Sequence, residues 1–206
     1  MALNLSTANK NQGLEVIPAG TLVTLMMKIL PGTIGVEHLC KRSSKGDSEG
    51  VDTEYLIMGK EYEGRKIRAF QLLDGVTAGH AKAAEITRAL LRAIFEAINA
   101  IDPKDVSPET DARRDGATLA GLNGATFLAT LDVEFGGPRK DGNGHYRDKN
   151  VIGKVLRVGD KGYCRLDQPP PMPIERSAPP AMPATPAPDG TPASAPTAIA
   201  RPHWAQ

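Results

Sequence analysis

Residues 65–101 read RKIRAFQLLDGVTAGHAKAAEITRALLRAIFEAINAI, and the hydrophobic period changes inside that stretch. Up to Leu72 the period is two. Lys66, Arg68 and Phe70 fall on one side of an extended chain, and Ile67 and Ala69 on the other. Asp74-Gly75 stops the pattern. From about Thr77 the period becomes three to four. Ile86, Leu90, Leu91, Ile94, Phe95, Ile98 and Ile101 then line one face of a helix, and the Ala-rich run 81–100 has high helix propensity. Asp102-Pro103 ends it. A strand therefore feeds one long helix.

Working upstream, residues 51–58 are β-branched and aromatic enough for a strand, and 59–64 can turn it into the strand at 65–72 as a hairpin. Residues 41–50 have loop chemistry. In 21–30, Val23, Leu25, Met27 and Ile29 share the core side, while Thr24, Met26 and Lys28 face outward; Pro31-Gly32 stops that strand. Downstream, Ser107-Pro108-Glu109 suits the start of a short helix, with Ser as N-cap and Pro in the first turn. Asn123-Gly124 turns into the clearest strand of the chain. There Phe127, Ala129, Leu131, Val133 and Phe135 alternate with Thr126, Leu128, Thr130, Asp132 and Glu134, which places both phenylalanines in the core. A Gly-rich basic loop, 138–149, leads to a last strand at 150–158. The expected fold is mainly β with one long helix. Three strands, a helix and two strands is the order of an OB-like five-stranded Greek-key barrel.

Composition divides the chain. Twelve of the 17 prolines lie in 169–206, among Ala, Ser, Thr and Gly, so this segment lacks the residues to offset the entropy of ordering its backbone. The expected organisation is a flexible arm 1–14, a domain 15–165 and a disordered Pro/Ala-rich tail 166–206. As polyproline II the last 38 residues reach about 100 Å. Net charge is only +1, but 139–165 carries eight Lys/Arg against three Asp, and such local excess bears on binding. Cys40 and Cys164 show no Cys-x-x-Cys spacing, no apolar leader precedes residues 2–13, and no run reaches membrane length. The expected compartment is the cytoplasm of a bacterial host, with no membrane partner and no cofactor.

Four stretches carry a resemblance: LAGLNGATF at 119–127, YRDKNVIGKV at 146–155, IPAG at 17–20 and YEGRKI at 62–67. Together they resemble phage and prophage single-stranded-DNA-binding proteins of OB-like fold, over roughly residues 15–158. The resemblance implies a non-enzymatic, sequence-tolerant binder of single-stranded DNA acting in replication or recombination. Two features depart from it. The tail ends RPHWAQ without the acidic tip common in bacterial-type binders, and the 40–50 insert has no counterpart.

Single-strand binding needs cations along the phosphates and flat side chains for the bases. Lys28, Tyr62, Lys66, Arg68 and Phe70 supply one candidate cluster. Arg139, Lys140, Tyr146, Arg147, Lys149, Lys154 and Arg157 supply another, in the loop and strand where OB-folds bind. Taken singly, each of these is more readily a solvated cation or a packed ring; the coincidence of both clusters with OB binding elements offsets that. Trp204, alone near the end of the tail, is a candidate contact for replication or recombination proteins. The helical stripe reads as core packing, with a homo-oligomer face as its alternative. Two other functions stand as alternatives: a non-catalytic protein-interaction or assembly module making contacts through the tail and the helix, and a metal-dependent nuclease using Asp132 and Glu134. His38 and Cys40, two apart, lack the further ligands of a zinc site. The loop 136–144 lacks the Gly-Lys-Ser/Thr ending and following helix of a nucleotide cradle.

Overall fold

The computed structural model describes residues 15–35, 38–59 and 61–168. The arm 1–14, the tail 169–206 and Trp204 lie outside the described residues. The architecture is mixed α/β: an antiparallel six-stranded sheet with one long helix. The strands are β1 (Leu22–Ile29), β2 (Lys41–Arg42), β3 (Ser48–Met58), β4 (Lys66–Gly75), β5 (Thr126–Glu134) and β6 (Lys149–Val155). The helices are α1 (Ala78–Ile98), α2 (Pro108–Asp115) and α3 (Leu119–Leu122).

The order in the sheet is β2-β3-β1-β5-β6, with β4 on the other side of β3. β3 is long enough to hold two partners end to end. Its first part pairs with β2 through Gly50 and Glu49, and its second part pairs with β1 from Thr53 to Met58. The 40–50 insert is thus no plain loop. Ser43 to Asp47 turn the chain, Gly46 takes φ 72°, and β2 lengthens the sheet.

Alternation sets the core. Val23, Leu25, Met27 and Ile29 of β1 are buried with Val51, Tyr55 and Ile57 of β3 and Phe127, Ala129 and Leu131 of β5. Tyr55 meets Phe127 edge to face, centroids 6.2 Å apart, a favoured aromatic geometry. The Tyr55 hydroxyl accepts from Gln71, whose amide oxygen accepts from Thr87 of α1, so these three buried side chains partner one another.

One turn helps fix register. At Asn123-Gly124 the Asn123 side chain accepts from Ile29 N at 2.8 Å, and Gly124, at φ 86°, donates to Met27 O. Elsewhere side-chain amides imitate a strand neighbour. Asn150 accepts from Ile17 N and donates to Ile17 O. Gln168 does the same with Thr126, so the described chain stays attached to the domain through Gln168.

Three expectations need correction. The sheet has six strands rather than five and is not closed into a barrel; no ladder joins β4 to β6. A bulge between Thr130 and Leu131 shifts the β5–β6 register, and bulges bend the strand that carries them. A cleft of about 310 Å3 separates the two edges, lined by Ile67, Ala69, Val151 and Ile152. Phe135 is 79% exposed: β5 ends at Glu134, so the alternation has no sheet beneath it at the next residue. Ile86 is 63% exposed. It lies about 80° around the helix from the buried Ile94, at eight residues of ~100° each. Leu90, Leu91, Phe95 and Ile98 do pack against the core. The helix starts are as expected: Thr77 caps α1 by accepting from His80 N, and Ser107 caps α2 ahead of Pro108. Cys40 and Cys164 are unpaired. Among the described residues no helix is long and apolar enough to cross a membrane.

Candidate nucleic-acid interface

The β3–β4 hairpin builds the first part of the site. Because β4 alternates, Lys66, Arg68 and Phe70 point away from the core, opposite Leu56, Glu54 and Asp52 of β3. Phe70 is 47% exposed, and its ring lies against Gly50. A Cβ on Gly50 would sit 2.6 Å from the ring edge, so only glycine lets the ring settle on the backbone there. Glu54 is nearly buried, and it holds both cations: Lys66 Nζ is 2.9 Å from Oε1 and Arg68 Nε is 3.0 Å from Oε2. The Lys66 contact foremost, helped by Arg68 and opposed by burial, draws the Glu54 pKa below the ordinary glutamate value.

The second part comes from β6. A cleft of about 480 Å3 is lined by Arg65, Lys66 and Arg68 on one wall and by Asp148, Lys149 and Asn150 on the other. Residues some eighty positions apart in sequence thus face one another. Lys149 is paired with Glu134 at 3.2 Å. Arg65 donates to Glu15 O and lies over the Tyr62 ring at 5.7 Å. On the same outward sheet face, Met26 and Leu56 align with Lys66 and offer apolar surface beside the cations.

Beyond the cleft the β5–β6 connection is a short ribbon, not a slack loop. Tyr146 N donates to Gly137 O, Arg139 N donates to Gly144 O, and Pro138 bridges His145. At its root Gly136 passes so close to Tyr146 that an added Cβ would lie 1.8 Å from that carbonyl oxygen. Arg139 stacks over the Tyr146 ring at 5.8 Å. Arg139, Lys140 and Arg147 are exposed and form no ion pair among the described residues. The ribbon therefore carries cations without fixed acidic partners, whereas those in the cleft are partly compensated.

Of the other sequence candidates, Lys154 and Arg157 do not line this cleft, whereas Lys28 and Tyr62 adjoin residues of the site. Lys154 is paired with Asp160 at 2.5 Å. Arg157 donates to the buried Glu96 and braces α1. Lys28 stands on the outward side of β1 opposite Glu54. Tyr62 is half-buried against the core, with its ring turned to Arg65. Among the described residues no group of three His, Cys, Asp or Glu side chains is placed to hold a metal. Asp132 accepts from Val133 N, and Glu134 from Lys149. Sequence reading assigned no site role to Arg65, Glu54 or Phe135. The Gly136-Gly137-Pro138 that follows Phe135 was the signal that its strand had ended. Comparison of the chain with protein-family models, with curated proteins and with solved structures finds no match in any of the three.

Proposed function

We propose that this protein is a sequence-tolerant single-stranded-DNA-binding protein acting in phage replication or recombination. The observation that carries the reading is convergence. Two basic and aromatic clusters, singled out separately in the sequence, meet at one cleft, with Lys66 and Arg68 facing Lys149 and a cationic ribbon beside them. The strand order supports it. With the short β2 set aside, β4-β3-β1-β5-β6 with a helix between β4 and β5 is the order of an OB-like barrel whose last seam is unsealed. In such folds the central hairpin and the loop before the last strand are the binding elements. Exposed Phe70, Phe135 and Tyr146 offer faces for bases, and few such faces imply a large electrostatic share.

The test is fluorescence anisotropy of labelled oligo-dT, titrated with the full chain at rising salt. Binding is expected at about 50 mM salt, falling by about 0.7 in log K per log salt for each phosphate neutralised. Absence of binding to any single strand at that salt sinks the reading. Incubating the same strand with Mg2+ reads cleavage in parallel, and the expected result is an intact strand.

A further inference from the structure

We propose that Glu54 competes with nucleic acid for Lys66 and Arg68, and so sets the affinity and salt response of the sheet face. The inference rests on the single-strand-binding reading above. The carboxylate sits between strands, with Arg68 opposite it on β4, Lys28 opposite it on β1, and Lys66 two pairs further along on the same face. Its side chain is 7% exposed, while those of Lys66 and Arg68 are 52% and 72% exposed. The acid is thus fixed beneath two cations whose outer surfaces face solvent. A phosphate arriving from solvent meets both cations, but also the negative charge at 2.9 and 3.0 Å behind them. Salt screens that charge far less than it screens an exposed one. No acid stands in this relation to Arg139, Lys140 or Arg147 of the ribbon, which form no ion pair among the described residues.

Two roles for Glu54 make opposite predictions. If it served only to hold the sheet and its cations in place, its loss would weaken binding. As a competitor, its loss strengthens binding, because one more positive charge is available to phosphate. Glu54→Gln keeps the shape and removes the charge. In the oligo-dT titration with the full chain, Glu54→Gln is expected to bind roughly fivefold tighter at about 50 mM salt, with a log–log salt slope steeper by about 0.7. A second pair keeps the test open should Glu54→Gln fold poorly. Lys66→Gln leaves Glu54 between Arg68 on β4 and Lys28 on β1, and Lys66→Gln with Glu54→Gln frees Arg68 from the acid. The double variant is expected to bind more tightly than Lys66→Gln, again with a slope steeper by about 0.7. Equal or weaker binding of the charge-neutral variants, or an unchanged slope, overturns the proposal while leaving single-strand binding intact. Failure of the wild-type chain to bind any strand overturns the functional reading and this inference with it.

Discussion

Glu96 takes three guanidinium groups on one carboxylate with no exposed surface. Arg92 Nε and Arg114 Nε approach Oε1 at 2.8 and 2.9 Å, and Arg157 Nη1 approaches Oε2 at 2.9 Å. Arg114 also donates to the backbone oxygens of Asp102 and Asp105. One side chain of α1 is thereby tied to α2, to the turn before it and to the chain just after β6. Breaking a buried network by removing one partner costs more than never building it, because the remaining charges keep their desolvation. Arg157 Nε is already buried without a hydrogen bond. Glu96→Ala is expected to destabilise the domain by about 3 kcal/mol, read as a lower urea midpoint at unchanged slope. The sign of the pH effect follows from the pKa. Burial pushes the Glu96 carboxyl up, but Arg92, Arg157 and Arg114 together outweigh it and hold the pKa below the ordinary glutamate value. Its contribution is therefore full above the unfolded value of about 4.3 and is lost as pH falls through the lower folded value. The stability gap between wild type and Glu96→Gln should narrow on acidification. A gap that stays constant below pH 4 would contradict this account. The same network shows what sequence could not display of Arg157: it reads as a cation in a basic stretch, but its partner Glu96 is 61 residues away and chosen by tertiary contact.

At the scale of elements, period and punctuation made the long pieces legible. β1 and β5 alternate over eight or more residues and β4 over its first half, and α1 and α2 have Thr77 and Ser107 as caps. What escaped was short or depended on a partner. α3 is four residues long, under two helical turns and too brief to show a period. β2 is two residues whose strand state comes from pairing with β3. The exposed edge of α1 near Ile86 was also illegible. Leu119 and Leu122 help line the cleft beside Phe95 on the other flank of the helix, and periodicity cannot say which flank gains such cover. The β5–β6 ribbon was read as a flexible loop because its glycines suit one. Its order comes from the close approach of Gly136 to Tyr146 and from the bonds of Tyr146 N to Gly137 O and Arg139 N to Gly144 O. A methyl group at 136 cannot fit against the Tyr146 backbone without moving it. Gly136→Ala is therefore expected to open the ribbon root. Amide exchange at Tyr146 and Arg139 should accelerate and oligo-dT affinity should fall, while exchange in β1, β3 and β5 stays as in wild type. If ribbon exchange is unchanged, the ribbon is not held at its root by this contact.

The whole molecule carries a net charge of only +1, so long-range attraction to nucleic acid is weak and affinity must come from local arrangement. That arrangement exists only in the folded chain. Lys66 and Arg68 meet Lys149 across a cleft that the sheet creates by bringing β4 and β6 together without bonding them. Sequence alone reached five of the six strands and the long helix, but neither β2 nor the unsealed seam, beside which a bulge shifts the β5–β6 register. Under the proposed function, the ligand binds the native state far better than the unfolded one, so single-stranded DNA should stabilise the fold. At a free oligonucleotide concentration a hundredfold above Kd the gain is about 2.7 kcal/mol. For a domain of this size that corresponds to a rise in Tm of roughly 5–10 °C, measured by calorimetry with and without oligo-dT at low salt. Replacing Arg139, Lys140 and Arg147 together by Ala should leave the Tm of the free protein nearly unchanged, because these side chains are exposed and form no ion pair among the described residues. It should shrink the oligo-dT shift, and raised salt should shrink the wild-type shift in the same way. A triple variant that keeps the full shift places the nucleic acid away from the ribbon and confines the interface to the cleft and the outward sheet face.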